Sequence, residues 1–217
     1  KAGVDSADLP DYSIAGCQEP LIMGKDNGNT TNSWLNLGKI LELTLTSGTS
    51  LVTGETIDPA LEQKNPLERL RTIREDFYKN VQKYTAHMTT AANGATEALS
   101  HLPVPFLSTM MCGLDSGYDM RDIHNQGTKY NGSGCLIHGL SVVADSFVAI
   151  DHLLAERPDD AGVLLDALRC DFEGYDELRE YLRACPKYGS NQKEPDTEAA
   201  EIAELSDFVS GTGVPIY

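Results

Sequence analysis

The sequence predicts a mixed α/β fold that is rich in helix. Short apolar stretches bordered by Gly, Asn or Pro, such as residues 135–139, are typical of buried strands or loops. Longer stretches place apolar side chains three and four residues apart, which is the spacing of one helix face. The clearest such face is Leu67, Leu70, Ile73, Phe77, Val81 and Tyr84. With 217 residues and 41% hydrophobic content, the chain suits one large or two small globular domains.

Capping residues and prolines predict where the helices begin and end. Ser33 or Asn32 would cap a helix from about Trp34 to Thr46, and Gly48 would end it. A long helix is predicted to start near Asn65-Pro66, to break near Asn93-Gly94 and to end near Leu99. Residues 106–116 fit either a short helix or a buried strand. Further helices are predicted over residues 140–155, 159–170, 174–184 and 196–209.

Charge and cysteine usage exclude several classes of function. The net charge of −16 argues against binding to nucleic acid phosphates or to an anionic membrane, and no apolar run reaches transmembrane length. The five cysteines are odd in number and irregularly spaced, which indicates neither a zinc site nor a disulfide framework. The histidines show no metal-ligand spacing either. Free thiols favour a reducing, cytoplasmic location.

The stretch Ser13–Pro20 brings a thiol and a carboxylate within two residues of each other. Gly16 permits a sharp turn and Pro20 opposes continuation of a strand, so we expect a tight loop tip that presents Cys17 and Glu19 together. A cysteine can act as a nucleophile or a one-electron centre, and a positioned Glu can act as an acid or base. The alternative interpretation is a structural thiol beside a solvated carboxylate.

Five sequence blocks in order carry a resemblance to a known family. The first is Gly16-Cys17-x-Glu19-Pro20, followed by the Asn- and Leu-rich segment from Leu35 to Gly48. The others are Pro105-Phe106-Leu107-Ser108, then Tyr130-Asn131-x-x-Gly134 with the segment Gly139 to Ile150, then Phe172-Glu173-Gly174-Tyr175 with Leu178-Arg179, and Pro186-Lys187-Tyr188-Gly189. Together they resemble the glycyl radical enzymes of the pyruvate formate-lyase superfamily over nearly the whole chain.

The resemblance implies a portion of a ten-stranded α/β barrel, made of two half-barrels with a Cys-bearing loop inside. Residues 1–217 would form part of the catalytic domain, with the Cys loop at 13–33, a Gly-rich loop at 126–139 and C-terminal helices at 159–209. By this resemblance Cys17 is the residue that becomes a thiyl radical and takes hydrogen from substrate. Glu19 matches the family's acid/base carboxylate. A sealed barrel interior would protect such a radical from solvent and oxygen.

The resemblance also implies partners. The glycyl radical would lie elsewhere in a longer parent polypeptide and would be installed by a radical S-adenosylmethionine activating enzyme with an iron-sulfur cluster. No cofactor is expected to bind within these residues. The expected partners are the remainder of the parent chain, the activating enzyme, a small-molecule substrate and a second copy of the parent in a homodimer.

Departures from the family patterns narrow the predicted reaction. Pyruvate formate-lyase has two adjacent cysteines, whereas Cys17 stands between Gly16 and Gln18. Diol dehydratases of the family place an Asp fourteen residues after the Cys, where this chain has Thr31. Addition to fumarate is disfavoured because Glu19 is present. The prediction is therefore a radical lyase (a dehydratase, a C–N or C–S lyase, or a decarboxylase), with a formate C-acetyltransferase-like enzyme as an alternative.

Two further residues are predicted to contact substrate, and two other functional classes stay open. Thr31 is a candidate by its position, and His138 by its place in the segment that lies near the barrel interior in the family; a satisfied buried His is the alternative. The family's glycyl motif, Arg-Val-x-Gly-Tyr, does not occur in the sequence. A non-catalytic fragment is therefore a second class, and ordinary thiol nucleophile chemistry at Cys17 a third.

Overall fold

The computed structural model describes residues 3–16, 19–27, 33–125, 127–131 and 135–210, with the backbone alone described at positions 19, 27, 131, 135 and 205–210. The strands are β1 Tyr12–Ala15, β2 Glu19–Ile22, β3 Asp26–Asn27, β4 Ser33–Asn36, β5 Tyr130–Asn131 and β6 Cys135–His138. The helices are α1 Leu37–Leu45, α2 Pro66–Arg71, α3 Ile73–Ser100, α4 Pro105–Met110, α5 Gly113–Ser116, α6 Leu140–Glu156, α7 Ala161–Arg169, α8 Asp176–Ala184 and α9 Lys193–Ser210. Short 3-10 helices cover Ser6–Asp11 and Pro158–Asp160.

The described residues divide into two units. The first combines residues 3–34 with 86–136, and the second combines 35–85 with 137–210. The strands form two-stranded pairs: β1 with β2, β3 with β5, and β4 with β6. The division falls within β4, α3 and β6. In the described part of the chain, no helix has both the length and the apolar character needed to cross a membrane.

In the second unit, helices pack around two aromatic rings. Phe77 of α3 and Phe147 of α6 are fully buried and meet edge to face, with ring centroids 5.4 Å apart. Leu70, Ile73 and Leu153 of the same unit are also at most 1% exposed. Leu70, Ile73 and Phe77 lie on the apolar face that the sequence predicted, because a helix buries the side that carries apolar side chains at every third or fourth position.

The first helix begins three residues later than predicted. Residues 33–36 are extended as β4, and α1 starts at Leu37 with Asn36 as its cap instead of Ser33 or Asn32. The Asn36 side-chain oxygen accepts a hydrogen bond from the backbone N–H of Lys39 at 3.0 Å. Pairing of β4 with β6 therefore prevails over the local helix signal. The predicted end is confirmed, because Gly48 has φ +87° and its N–H bonds the Leu43 carbonyl.

The long helix breaks at a different place from the one predicted. Asn65 caps α2 and Pro66 is its first residue, as expected, but the break falls at Thr72 between α2 and α3. The prediction of a break at Asn93-Gly94 was wrong, because α3 continues through both residues to Ser100. A glycine inside a helix costs only about 1 kcal/mol relative to alanine, which a long helix tolerates.

The later helices were predicted correctly. α6, α7, α8 and α9 occupy the predicted stretches to within a few residues. Residues 106–116, for which strand and helix were both open, form the short helices α4 and α5.

Candidate functional site

The candidate site is the hairpin formed by β1 and β2. The strands are antiparallel, with Tyr12 opposite Ile22 and Ala15 opposite Glu19. Cys17 stands among the three residues that join them, and Cys17 and Gln18 lie outside the described residues. Gly16, the last described residue before them, has φ +53°, a backbone conformation that glycine adopts without strain.

The structure corrects two parts of the predicted loop. Glu19 does not lie at a loop tip but is the first residue of β2, although its side chain is not described. Pro20 does not end the strand; it lies within β2 opposite Ile14. A two-stranded sheet consists of two edge strands, and an edge strand tolerates proline because its missing N–H need not enter the hydrogen-bond ladder.

A second strand pair adjoins the base of the hairpin. β3 runs parallel to β5, with Asp26 opposite Tyr130, and the Tyr130 N–H donates to the Lys25 carbonyl at 2.8 Å. The segment before β5 is tightly packed: a side chain at Gly127 would place its Cβ 1.9 Å from the Asp119 carbonyl oxygen. The predicted Gly-rich loop thus has a physical need for glycine at its first described residue.

Two carboxylates near the hairpin have shifted pKa values. Burial raises the pKa of Asp26, against the opposing effect of a backbone hydrogen bond from Ile22. Hydrogen bonds from Lys129, Lys25 and Tyr130 hold the pKa of Asp8 well below its usual range. Neither residue is among the sites predicted from the sequence. Asp26 lies in a polar, turn-like stretch and Asp8 among other acidic residues, so no local pattern distinguished them.

Of the other two residues predicted to contact substrate, the structure describes only one. Thr31 lies outside the described residues. His138 is the last residue of β6 and is half-buried in the second unit. After it the chain turns sharply: Gly139 has φ +89°, and a Cβ there would lie 2.9 Å from the backbone nitrogen of Gly38. The roles proposed for Cys17, Glu19, Thr31 and His138 therefore remain predictions.

The structure describes three cysteine side chains, and all three lie outside the hairpin. Cys112 is half-buried and donates a weak hydrogen bond to the Gly24 carbonyl at 3.2 Å. Cys185 is buried at the end of α8, and burial raises the pKa of its thiol. Cys170, at the end of α7, is exposed. Among the described residues, no group of three or more His, Cys, Asp or Glu side chains is arranged to hold a metal ion.

A cleft in the second unit lies between α6, α7 and α8. It has a volume of about 410 Å³ and is lined mainly by apolar side chains, with Arg179, Arg183 and Lys187 among its polar groups. His138, the one predicted site residue whose side chain is described, does not line it.

Comparison with known proteins places nearly the whole chain in one family. The family model described as "Pyruvate formate lyase-like" matches residues 1–207. The chain is 26% identical over 180 residues to a (2S)-3-sulfopropanediol dehydratase of Klebsiella oxytoca, which covers 82% of this chain and 22% of that protein. It is 26% identical over 210 residues to an isethionate sulfite-lyase of Nitratidesulfovibrio vulgaris, covering 94% of this chain and 25% of the relative.

A solved structure agrees with these matches. The glycerol-bound form of the B12-independent glycerol dehydratase from Clostridium butyricum superposes with a TM-score of 0.82 and 28% identity, over 96% of this chain and 26% of that one. The helix-rich portion of an α/β barrel predicted from the sequence is thereby confirmed. The chain spans about a quarter of the length of the proteins it matches. It belongs to the pyruvate formate lyase-like family of glycyl radical enzymes.

Proposed function

We propose that this chain is the part of a glycyl radical lyase that carries the thiyl cysteine, Cys17, and an acid/base carboxylate, Glu19. One observation carries the proposal: β1 and β2 are paired up to Ala15 and Glu19, so the connection that contains Cys17 is only three residues long and ends directly at Glu19. A short connection limits the separation between the thiol and the carboxylate. That suits two groups acting on neighbouring atoms of one substrate.

The reaction we propose conserves hydrogen atoms. The Cys17 thiyl sulfur takes a hydrogen atom from a substrate carbon and becomes a thiol. Loss of the leaving group from the adjacent carbon then gives a product radical. Where a hydroxyl departs, Glu19 gives it a proton, so that it leaves as water, and regains a proton from the hydroxyl that becomes a carbonyl. Where another group departs with its bonding electrons, Glu19 takes the proton of the hydroxyl that becomes a carbonyl. The product radical finally takes the hydrogen atom back from Cys17, which restores the thiyl radical for the next turnover.

The starting radical comes from outside these residues. A glycyl radical in the parent polypeptide would supply the chemistry by taking the hydrogen atom of the Cys17 thiol. We propose a radical S-adenosylmethionine enzyme with an iron-sulfur cluster as the activating partner.

The substrate we propose is a small molecule that carries a hydroxyl group. The names of the relatives combine loss of water with cleavage of a carbon–sulfur bond, and both are lyase reactions. Thr31 in place of the Asp of diol dehydratases would offer a hydroxyl where they offer a charge. The acetyltransferase alternative is less well supported because Gly16 and Gln18 flank Cys17 and no second thiol adjoins it.

The test uses the full-length parent enzyme, activated anaerobically and assayed against hydroxylated sulfonates, hydroxyproline and diols. Electron paramagnetic resonance counts the glycyl radical, and product analysis measures turnover. We expect Cys17→Ser to abolish turnover while the spin count stays near that of the wild type, because serine cannot relay a hydrogen atom. Glu19→Gln is expected to lower turnover by about a hundredfold or more, the scale of lost acid–base catalysis.

Cys170→Ser is the matched control. It removes an exposed thiol at the end of α7, and turnover is expected to be unchanged. Turnover by Cys17→Ser would contradict the proposal. Rapid alkylation of Cys17 by iodoacetamide relative to Cys170, together with turnover that persists without activation, would favour thiol nucleophile chemistry instead.

A further inference from the structure

A single buried carboxylate joins three segments at the base of the hairpin. Asp8 lies in the 3-10 helix Ser6–Asp11 just before β1 and is only 4% exposed. Its Oδ1 accepts from Lys25 Nζ at 2.7 Å, and its Oδ2 accepts from Lys129 Nζ at 2.5 Å and from the Tyr130 hydroxyl at 2.6 Å. We call Asp8, Lys25, Lys129 and Tyr130 the base clamp.

The donors of the base clamp come from segments that are far apart in sequence. Lys25 lies after β2, between the hairpin and β3, while Lys129 and Tyr130 lie 121 and 122 residues beyond Asp8. The Tyr130 hydroxyl also accepts the Asp5 backbone N–H at 2.9 Å. One carboxylate therefore fixes the entry to the hairpin, the exit from it, and the strand β5 at its base.

Backbone bonds close the same region but do not replace the base clamp. The Met23 N–H donates to the Asp11 carbonyl at 2.9 Å, which closes the open end of the hairpin. The Tyr130 N–H bonds the Lys25 carbonyl, which places β5 beside the exit. Apart from the two-residue β3–β5 pair, these are single bonds between short strands, and a two-stranded hairpin is marginally stable alone. Side-chain bonds to a carboxylate are the stronger class of hydrogen bond.

We infer that Asp8 is a positioning residue for the reaction: it sets the orientation of the hairpin that carries Cys17 and Glu19. Asp8 lies at the opposite end of β1 from Cys17 and acts only through the strands. This inference rests on the proposed function for its effect on turnover, and on geometry alone for its effect on the hairpin. Because radical relay and acid–base transfer depend steeply on position, a loosened base lowers the rate without removing either reacting group.

The experiment compares Asp8→Asn with Asp11→Asn in the full-length enzyme. Asn has nearly the shape of Asp, but it is uncharged. Its NH2 group cannot accept the hydrogen bonds that the lysine and tyrosine donors of the base clamp give to Asp8. Asp11 is the matched control, because its side chain is about half exposed and, among the described residues, forms an ion pair with Lys25 alone, at 2.6 Å. We expect hydrogen–deuterium exchange of the amides in residues 12–22 to rise about tenfold or more in Asp8→Asn. In Asp11→Asn we expect a change of less than about threefold.

Kinetics separate positioning from a merely structural role. In the activated enzyme, kcat of Asp8→Asn is expected to fall by about tenfold to a hundredfold, while KM and the glycyl spin count stay within about twofold of wild type. A general loss of folded protein would lower the spin count and kcat together. Tyr130→Phe, which keeps the charge of Asp8 and removes one donor, is expected to show the same pattern at smaller size, and it serves as the test if Asp8→Asn does not fold.

The two proposals fail in different ways. Wild-type exchange in residues 12–22 of both Asp8→Asn and Tyr130→Phe, or equal effects of Asp8→Asn and Asp11→Asn, would overturn the role of Asp8. Unchanged kcat in an Asp8→Asn enzyme whose hairpin exchanges faster would overturn its effect on turnover. A wild-type enzyme that forms the glycyl radical and turns over no lyase substrate would contradict the proposed function, while the exchange experiment would still decide whether Asp8 holds the hairpin.

Discussion

The backbone around Gly48 leaves no room for a side chain. Its φ is +87°, and a Cβ would lie 1.9 Å from the carbonyl oxygen of Asp58. We expect Gly48→Ala to lower the free energy of unfolding by about 3 kcal/mol or more, from left-handed backbone strain plus forced displacement of the Asp58 segment. Urea denaturation of the purified chain measures the loss.

Gly54 provides the control for backbone strain alone. It has φ +71°, and nothing lies within 4 Å of a Cβ built there. Gly54→Ala is expected to cost about 1 kcal/mol. Equal losses in the two variants would show that the contact with Asp58 has no energetic weight.

Individual residues also show which features a local sequence pattern can predict and which it cannot. The need for glycine at the end of the first helix was predictable, because Gly48 follows a local helix pattern. Its close approach to Asp58 was not, since no local pattern encodes which carbonyl passes by. Asp8 is the same case at the site: its two partners in β5 and the preceding loop are more than 120 residues away in sequence.

Arg74 joins three helices of the second unit. From α3 it donates to both carboxylate oxygens of Asp151 on α6, at 2.8 and 2.6 Å, and to Glu198 on α9 at 2.8 Å. Its guanidinium also lies 4.8 Å from the centre of the Phe147 ring. Lysine cannot reproduce this forked, stacked geometry, and Glu198 is only 9% exposed. We expect Arg74→Lys to lower the free energy of unfolding by about 1–2 kcal/mol.

The matched substitution is Arg169→Lys. Arg169 pairs with Asp166 on the surface of α7, with both side chains about 60% exposed. An exposed pair of this kind contributes little, so the expected loss is below about 0.5 kcal/mol. Similar losses for both variants in urea denaturation would contradict the role given to Arg74.

Elements were predictable where their signals were local. The helices α6 to α9 follow from apolar periodicity, and α2 from the Asn65-Pro66 start. The strand β4 was missed because Trp34 and its neighbours precede an apolar helix face, while the pairing that holds them extended is with β6, about 100 residues later. Likewise, Pro20 suggested an end to the strand, and only the pairing with Ile14 shows that β2 continues through it.

At the scale of the whole molecule, these 217 residues do not hold every group that the proposed reaction needs. The Arg-Val-x-Gly-Tyr motif expected for the radical-bearing glycine does not occur among them. We expect the 217-residue chain, incubated with an activating enzyme and S-adenosylmethionine, to show no glycyl doublet in an electron paramagnetic resonance spectrum. The full-length parent under the same conditions is the positive control. A stable doublet from the 217 residues alone would overturn this expectation.

At this scale the family was predictable and the geometry of the site was not. Ordered blocks such as Gly16-Cys17-x-Glu19-Pro20 led to the family that the comparisons confirm over residues 1–207. They carried no information about which carboxylates become buried or half-buried, so Asp8 and Asp26 emerged only from the structure. A motif indicates which chemical groups a site contains, whereas the burial of those groups depends on how the whole chain packs.

The short hairpin has a consequence for engineering. The side chains of the base clamp meet at the open end of the hairpin, at the far end of β1 from the connection between Ala15 and Glu19. A substitution at position 17 or 18 therefore changes the reactive group without removing any of these side-chain bonds. Variants at those two positions can be compared with one another on the same base.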